Sequence, residues 1–155
     1  LSLAYANGPL TASVAQSTLN SVNGETGAKV TLVGAAYTMG AFKFTAAQQN
    51  TKFSGEWAAA NDLTVQGLGV GYTQGKVDYN LGYTVLKDKE DSTYKTTQTA
   101  VTARYNFSKR TSVYAGYGNG KNEGTSNKTG VVYGGSALTV AGNNSAYLVG
   151  LKHAF

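Results

Sequence analysis

Residues able to do covalent chemistry are scarce in this chain of 155 residues. It has no cysteine and a single histidine, His153, so thiolate nucleophiles, disulfides and His-cluster metal sites are excluded. His153 falls on the apolar side of an alternating segment, which favours an interfacial or subunit-contact residue over a catalytic base. The glycine-rich run 67–71 lacks the Lys-Ser/Thr pair of a phosphate-binding loop. We therefore expect no enzyme activity, no metal and no cofactor.

Four charged residues lie on the polar side of such alternating segments: Lys43, Asp78, Arg104 and Lys152. Each of the three cations lies a few residues from the end of its segment. A rise of ~3.3 Å per residue and a tilt of ~40° place all three ~8–10 Å from the same edge. If these positions line a channel, three cations opposed by Asp78 alone would favour anions. The alternative is that they pair with nearby carboxylates and have little effect on conductance.

The composition fits neither an ordinary soluble domain nor a helical membrane protein. Apolar residues make up 41% and charged residues 14%, against the usual ~45–50% and ~25%. The chain has 20 glycines and 11 tyrosines, and no apolar run approaches the ~18 residues of a transmembrane helix. The net charge of +5 is spread thinly, with only Lys109 and Arg110 adjacent, so no nucleic-acid partner is expected.

Apolar and polar residues alternate with a period of two through most of the chain, as in the apolar series Val77, Tyr79, Leu81, Tyr83 and Val85. This alternation is typical of strands with one apolar face and one small or polar face. It predicts nine strands, at about 1–6, 10–19, 28–38, 41–52, 63–74, 77–87, 95–107, 112–120 and 145–155. Most approach the ~9–11 residues that a strand needs to cross a bilayer.

The predicted connections alternate between short turns and long polar loops. The long ones, at about 20–27, 53–62, 88–94 and 121–144, hold or adjoin seven of the eight acidic residues. Aromatic residues gather at the strand ends beside the short turns, where an interfacial girdle belongs. A soluble sandwich, such as a carbohydrate-binding one, would need an apolar core between sheets and a solvated face rich in Lys and Glu. We therefore predict an all-β fold, an antiparallel transmembrane β-barrel.

Two C-terminal segments resemble one protein family. Residues 105–117 (YNFSKRTSVYAGY) resemble the Y-x-L-S-K-R-T-x-x-Y-x-x-Y hairpin of trimeric general porins from Gram-negative bacteria, the beta-proteobacterial type. Residues 147–155 (YLVGLKHAF) resemble their last strand, which ends G-x-R-H-x-F, with Lys152 where Arg is common. Residues 3–10 and 34–44 fit mid-chain strands of the same porins. Because those barrels have 16 strands, the resemblance implies that residues 1–155 are the C-terminal part of a single barrel domain, strands eight to sixteen.

The resemblance also implies a function. The chain would belong to an outer-membrane channel for passive diffusion of ions and small hydrophilic solutes, preferring anions. Its partners would be outer-membrane lipid, two further copies in a homotrimer, and the barrel-assembly machinery. That machinery would recognise the terminal aromatic and the outward residues before it: Phe155, Leu151, Val149 and Tyr147. The constricting loop would lie in the missing half. The alternative is a small non-channel barrel that serves as an anchor or adhesin, its interior filled by side chains.

Overall fold

The computed structural model describes residues 1–124 and 142–155, which form one antiparallel sheet. Its strands are β1 (Ser2–Asn7), β2 (Leu10–Asn20), β3 (Thr26–Met39), β4 (Phe42–Phe53), β5 (Leu63–Gln74), β6 (Val77–Asp88), β7 (Lys95–Asn106), β8 (Thr111–Glu123) and β9 (Asn143–His153). A 3-10 turn, Gly55–Trp57, lies between β4 and β5. Among the described residues, no helix has the length and apolar character that a membrane crossing requires.

All nine predicted strands are present, and the predicted all-β class is confirmed. Strand β8 is longer than expected, because Glu123 still pairs with Lys95 of β7. The apolar series of β8 ends at Tyr117, and the polar residues Asn119, Lys121 and Glu123 at the next alternate positions hid this extension in the sequence. Most of the predicted connection at 121–144 lies outside the described residues.

Every described strand pairs with its neighbours in the chain, in the order β1 to β9. The ladders run almost without interruption, with one irregularity in β2 between Leu19 and Asn20. Within the described residues, β1 and β9 each have one paired neighbour, so the sheet is open at both edges. It is an up-and-down meander that has not closed on itself.

Tight turns connect the strands along one edge of the sheet. Gly40 has φ 59° and Gly75 has φ 60°, in the left-handed region that glycine adopts without a steric penalty. Each begins a two-residue loop, closed by the pairs Met39 with Phe42 and Gln74 with Val77. Such loops match the twist of the strands that they join. We call this side of the sheet the turn edge, and the opposite side the loop edge.

The described strands and turns have no internal hydrophobic core of their own. Among the described residues, Ala28 is the one buried apolar side chain, whereas many large apolar side chains are exposed. A soluble sandwich buries one face of each sheet, so this distribution excludes the sandwich alternative. The ladder hydrogen bonds hold the strands together, and the apolar face needs an apolar medium.

Candidate functional site

The strand register sorts the side chains into two faces. One row of successive cross-strand partners consists of Tyr37, Phe44, Val70, Leu81, Val101, Tyr117 and Tyr147. The neighbouring row on the other side consists of Lys43, Gly71, Asn80, Thr102, Gly116 and Leu148. Because side chains alternate along every strand, these rows define an apolar outer face and a small, largely polar inner face.

The predicted channel-lining residues share the inner face near the turn edge. Lys43 is the second residue of β4, Asp78 the second of β6, Arg104 the third from the end of β7, and Lys152 the last but one of β9. Three of them, Lys43, Asp78 and Arg104, line one concavity of about 700 Å³ together with Asn80 and Thr102. Lys152 lies outside that concavity, two strands beyond Arg104.

Asp78 and Arg104 form an ion pair across the β6–β7 ladder. The guanidinium donates to Asp78 Oδ2 from Nη2 at 2.8 Å and from Nε at 3.1 Å. The Asn106 amide donates to the same oxygen at 2.8 Å, and the Thr73 hydroxyl donates to Oδ1 at 2.8 Å. The positive charge of Arg104 is therefore compensated on the wall itself, as the alternative interpretation of these charges anticipated.

The pairing of Asp78 with Arg104 can be predicted from the symmetry of the hairpin that contains them. The predicted connection at 88–94 has its midpoint at residue 91. A symmetrical hairpin about that residue pairs position 78 with position 104, because both lie 13 residues away (91 − 78 and 104 − 91). Alternation alone identifies Asp78 as a charge opposing the three cations, and the strand register places it beside Arg104.

Lys43 and Lys152 have no such partner in the part of the chain that the structure describes. In residues 1–124 and 142–155, no carboxylate forms an ion pair with either ammonium group. Both side chains are exposed on the inner face. Gly71 leaves space beside Lys43, since an added Cβ at Gly71 would stand 3.1 Å from Asn80 Oδ1 and 3.8 Å from Lys43 Cβ. These two lysines are the uncompensated charges of the predicted set.

The last strand presents its alternate side chains on the outer face. Tyr147, Val149 and Leu151 are 81%, 86% and 67% exposed, and Phe155 is fully exposed. The Tyr117 ring lies 4.9 Å from that of Tyr147. The four predicted assembly residues thus form a single strip beside the open edge of β9.

His153 is held by a hydroxyl rather than by an acid. Its Nδ1 lies 2.9 Å from Thr111 Oγ1, and its ring packs edge-on against Phe155 at 4.8 Å between centroids. No group of three or more His, Asp or Glu residues within the described part of the chain is arranged to hold a metal ion. This geometry assigns His153 to the packing of the sheet's turn edge.

The sheet is similar to part of larger solved structures. The anion-selective porin from Comamonas acidovorans is 27% identical and superposes with a TM-score of 0.85, over 99% of this chain and 48% of that one. The trimer form of OmpT, an outer membrane protein of Vibrio cholerae, is 16% identical with a TM-score of 0.67, over 98% of this chain and 54% of that one. The chain therefore spans about half the length of these relatives.

A family comparison agrees with the structural likeness. No curated protein matches the chain. The family model described as Gram-negative porin matches residues 1–125, which is most of the chain and includes strands β1 to β8. The chain therefore belongs to the Gram-negative porin family and is a protein of the bacterial outer membrane.

Proposed function

We propose that residues 1–155 are the C-terminal part of a single porin barrel domain. The chain spans 48% of the Comamonas acidovorans porin, and both outer edges of its sheet have no partner strand within the described residues. Single-chain bacterial barrels have even strand numbers. An open strand edge in lipid leaves backbone groups unpaired, at a cost of several kcal/mol for each group. The remaining strands would pair with β1 and β9 and close the barrel.

The whole protein would be a water-filled channel for passive diffusion of ions and small hydrophilic solutes. The porin family and fold point to a channel rather than to an enzyme. The inner face supports this role, because its glycines leave space and its threonines and asparagines can form hydrogen bonds with water. The apolar outer face would contact outer-membrane lipid.

We propose that the channel prefers anions because of Lys43 and Lys152. The observation that carries this proposal is the difference among the cations: Arg104 is paired with Asp78, whereas the two lysines have no acidic partner in the described part of the chain. Unpaired charges beside a low-dielectric wall are weakly screened and select ions of opposite sign. The Comamonas acidovorans relative is described as anion-selective, which fits.

The partners follow from the same relatives and from the last strand. The OmpT structure of Vibrio cholerae is a trimer form, and we propose a homotrimer here. The exposed strip of β9 would present its alternate side chains and backbone groups to the barrel-assembly machinery, in the manner of strand addition.

Reversal potentials across planar bilayers under a salt gradient test the selectivity. In the intact porin, replacing Lys43 and Lys152 with Gln should lower the anion/cation permeability ratio. A matched variant that replaces Lys76 and Lys109, which lie in the tight turns, removes equal charge away from the inner face and should leave the ratio nearly unchanged. An unchanged ratio in the first variant would contradict the role of these lysines.

A further inference from the structure

A tyrosine lies on the small, largely polar inner face near the turn edge. Tyr114 of β8 is the cross-strand partner of Arg104 on β7 and of Gly150 on β9. Since cross-strand partners share a face, Tyr114 belongs to the same inner row as the predicted channel-lining residue Arg104. Its 38% exposure leaves part of the side chain open. An accessible aromatic ring therefore lies on the inner face.

The Tyr114 side chain runs across the neighbouring strand instead of standing up from the sheet. A Cβ added at Gly150 would overlap Cζ and the hydroxyl oxygen of Tyr114 and stand 2.8 Å from Cε2. The phenol end is therefore at the height of the first side-chain atom of β9, directly over the Gly150 backbone. Glycine alone leaves this space, because it has no Cβ. The wall supports one side of the ring, and the other side is free to contact a planar group.

The surface beside the ring is apolar. Gly116 follows Tyr114 on the same face of β8, and a Cβ at Gly116 would stand 3.0 Å from Thr102 Cγ2 and 3.2 Å from Leu148 Cγ. A methyl group and a leucine side chain therefore lie on either side of Gly116. We call the ring and these neighbours the Tyr114 surface (Tyr114, Gly116, Leu148 and Gly150). Apolar surface on an inner face favours a ligand with an apolar part.

An uncompensated ammonium group lies beside the Tyr114 surface. Lys152 is two residues from Gly150 along β9, so their Cα atoms are ~7 Å apart and their side chains share a face. In residues 1–124 and 142–155, no carboxylate forms an ion pair with Lys152. Arg104, on the other side of Tyr114, is paired with Asp78 at 2.8 Å. The free positive charge is therefore at the Lys152 end of an apolar, partly aromatic surface.

We propose that Tyr114 and Lys152 form a weak binding site for aromatic carboxylates on the wall of the channel. The carboxylate of such a solute would accept a hydrogen bond from the Lys152 ammonium group, and its ring would stack on Tyr114 and contact Leu148. An aliphatic acid has the charge without the planar ring, and a neutral aromatic solute has the ring without the charge. The inference rests on the proposed anion-preferring channel and names one class of solute for it.

Single-channel recording of the intact porin in planar bilayers tests the site, with sodium benzoate and sodium cyclohexanecarboxylate as probes. The two acids carry the same charge and are similar in size, but only benzoate has a planar aromatic ring. With the wild type, benzoate should halve the chloride current at about a fivefold lower concentration than cyclohexanecarboxylate, which is the scale of one aromatic pair. Equal half-blocking concentrations for the two acids would overturn the proposal.

Two substitutions of Tyr114 separate stacking from packing. Tyr114→Leu keeps an apolar side chain without the ring and should abolish the preference for benzoate. Tyr114→Phe keeps the ring and should retain the preference within about twofold. Tyr79→Leu, which removes a ring from the outer face near the same edge, is the matched control and should leave the preference unchanged. Full preference in Tyr114→Leu, or an equal loss in Tyr79→Leu, would reject the site.

The role of the charge is tested by a separate pair of variants. Lys152→Gln should raise the half-blocking concentrations of both acids about threefold, which is the scale of an exposed ion pair. The ratio between the two acids should persist, because the ring is intact. Lys109→Gln, in the turn between β7 and β8, removes equal charge and should change neither concentration. An unchanged concentration of benzoate in Lys152→Gln would contradict the role of that lysine.

Reversal potentials in sodium chloride alone separate this inference from the proposed selectivity. An anion-preferring wild type that does not distinguish the two acids would reject the aromatic site alone. A cation-preferring wild type that still distinguishes them would contradict the proposed selectivity and support the site.

Discussion

Arg104 and Asp78 lie directly opposite each other on β7 and β6, with 2.8 Å between Nη2 and Oδ2. The pair makes the local charge of the wall close to zero although an arginine is present. Under the proposed function, we expect selectivity in this part of the pore to depend on which cations lack an acidic partner, rather than on the number of cations.

Replacing Asp78 with Asn should raise the anion/cation permeability ratio of the intact porin, because it frees the charge of Arg104. The side chain of Arg104 is 51% exposed, so the stability lost with the pair should be at most about 1 kcal/mol. Reversal potentials provide the measurement. Glu90→Gln, which removes a carboxylate in the loop after β6, should leave the ratio unchanged. A lower ratio in the Asp78 variant would contradict the ion-pair argument.

Replacing Gly150 with Val should destabilise the barrel. An added Cβ at Gly150 would overlap the ring of Tyr114, its cross-strand partner on β8. Forced overlap of this kind costs ~1–3 kcal/mol, which should lower the temperature at which the folded form disappears on semi-native gels. Gly82→Val is the matched control, since a Cβ at Gly82 meets no atom within 4 Å. Adding Tyr114→Ser should restore much of the loss, and an unaffected single variant would refute the contact.

Residues 1–155 alone should not form a monomeric, heat-resistant barrel in detergent. The open edges of β1 and β9 would leave backbone groups unpaired in the apolar phase, at several kcal/mol each. Limited proteolysis and gel mobility after refolding provide the measurement, with the full-length porin as reference. A compact, protease-resistant monomer would favour the small non-channel barrel over the half-porin interpretation.

Deleting Phe155 should lower the amount of folded porin in cells far more than the refolding yield in detergent. The residue is fully exposed at the end of the last strand, so it is available for recognition during assembly. If Phe155 only completes the aromatic girdle, both assays should show equal and mild losses, worth ~1–3 kcal/mol of burial. Phe107→Ala, at an exposed aromatic of the same edge, is the control and should behave in that mild way.

The strands and their faces were predictable from the alternation of apolar and polar residues, because every second side chain of a strand lies on the same face. The partnership of Asp78 and Arg104 was also predictable, from the symmetry of the hairpin about the connection 88–94. The contact of Tyr114 with Gly150 was not, since it joins strands on either side of the long connection 124–142, whose length fixes no register.

The strictly sequential pairing order has a consequence for how the porin could be divided and rejoined. Since each described strand hydrogen-bonds only to its neighbours in the chain, a cut in one connection breaks no ladder within either piece. If the cut lies just before β1, the two co-expressed pieces would meet along only two strand edges, that of β1 and that of β9. Two ladders of backbone hydrogen bonds, rather than a shared core, would hold the pieces together. This architecture is therefore suited to fragment complementation.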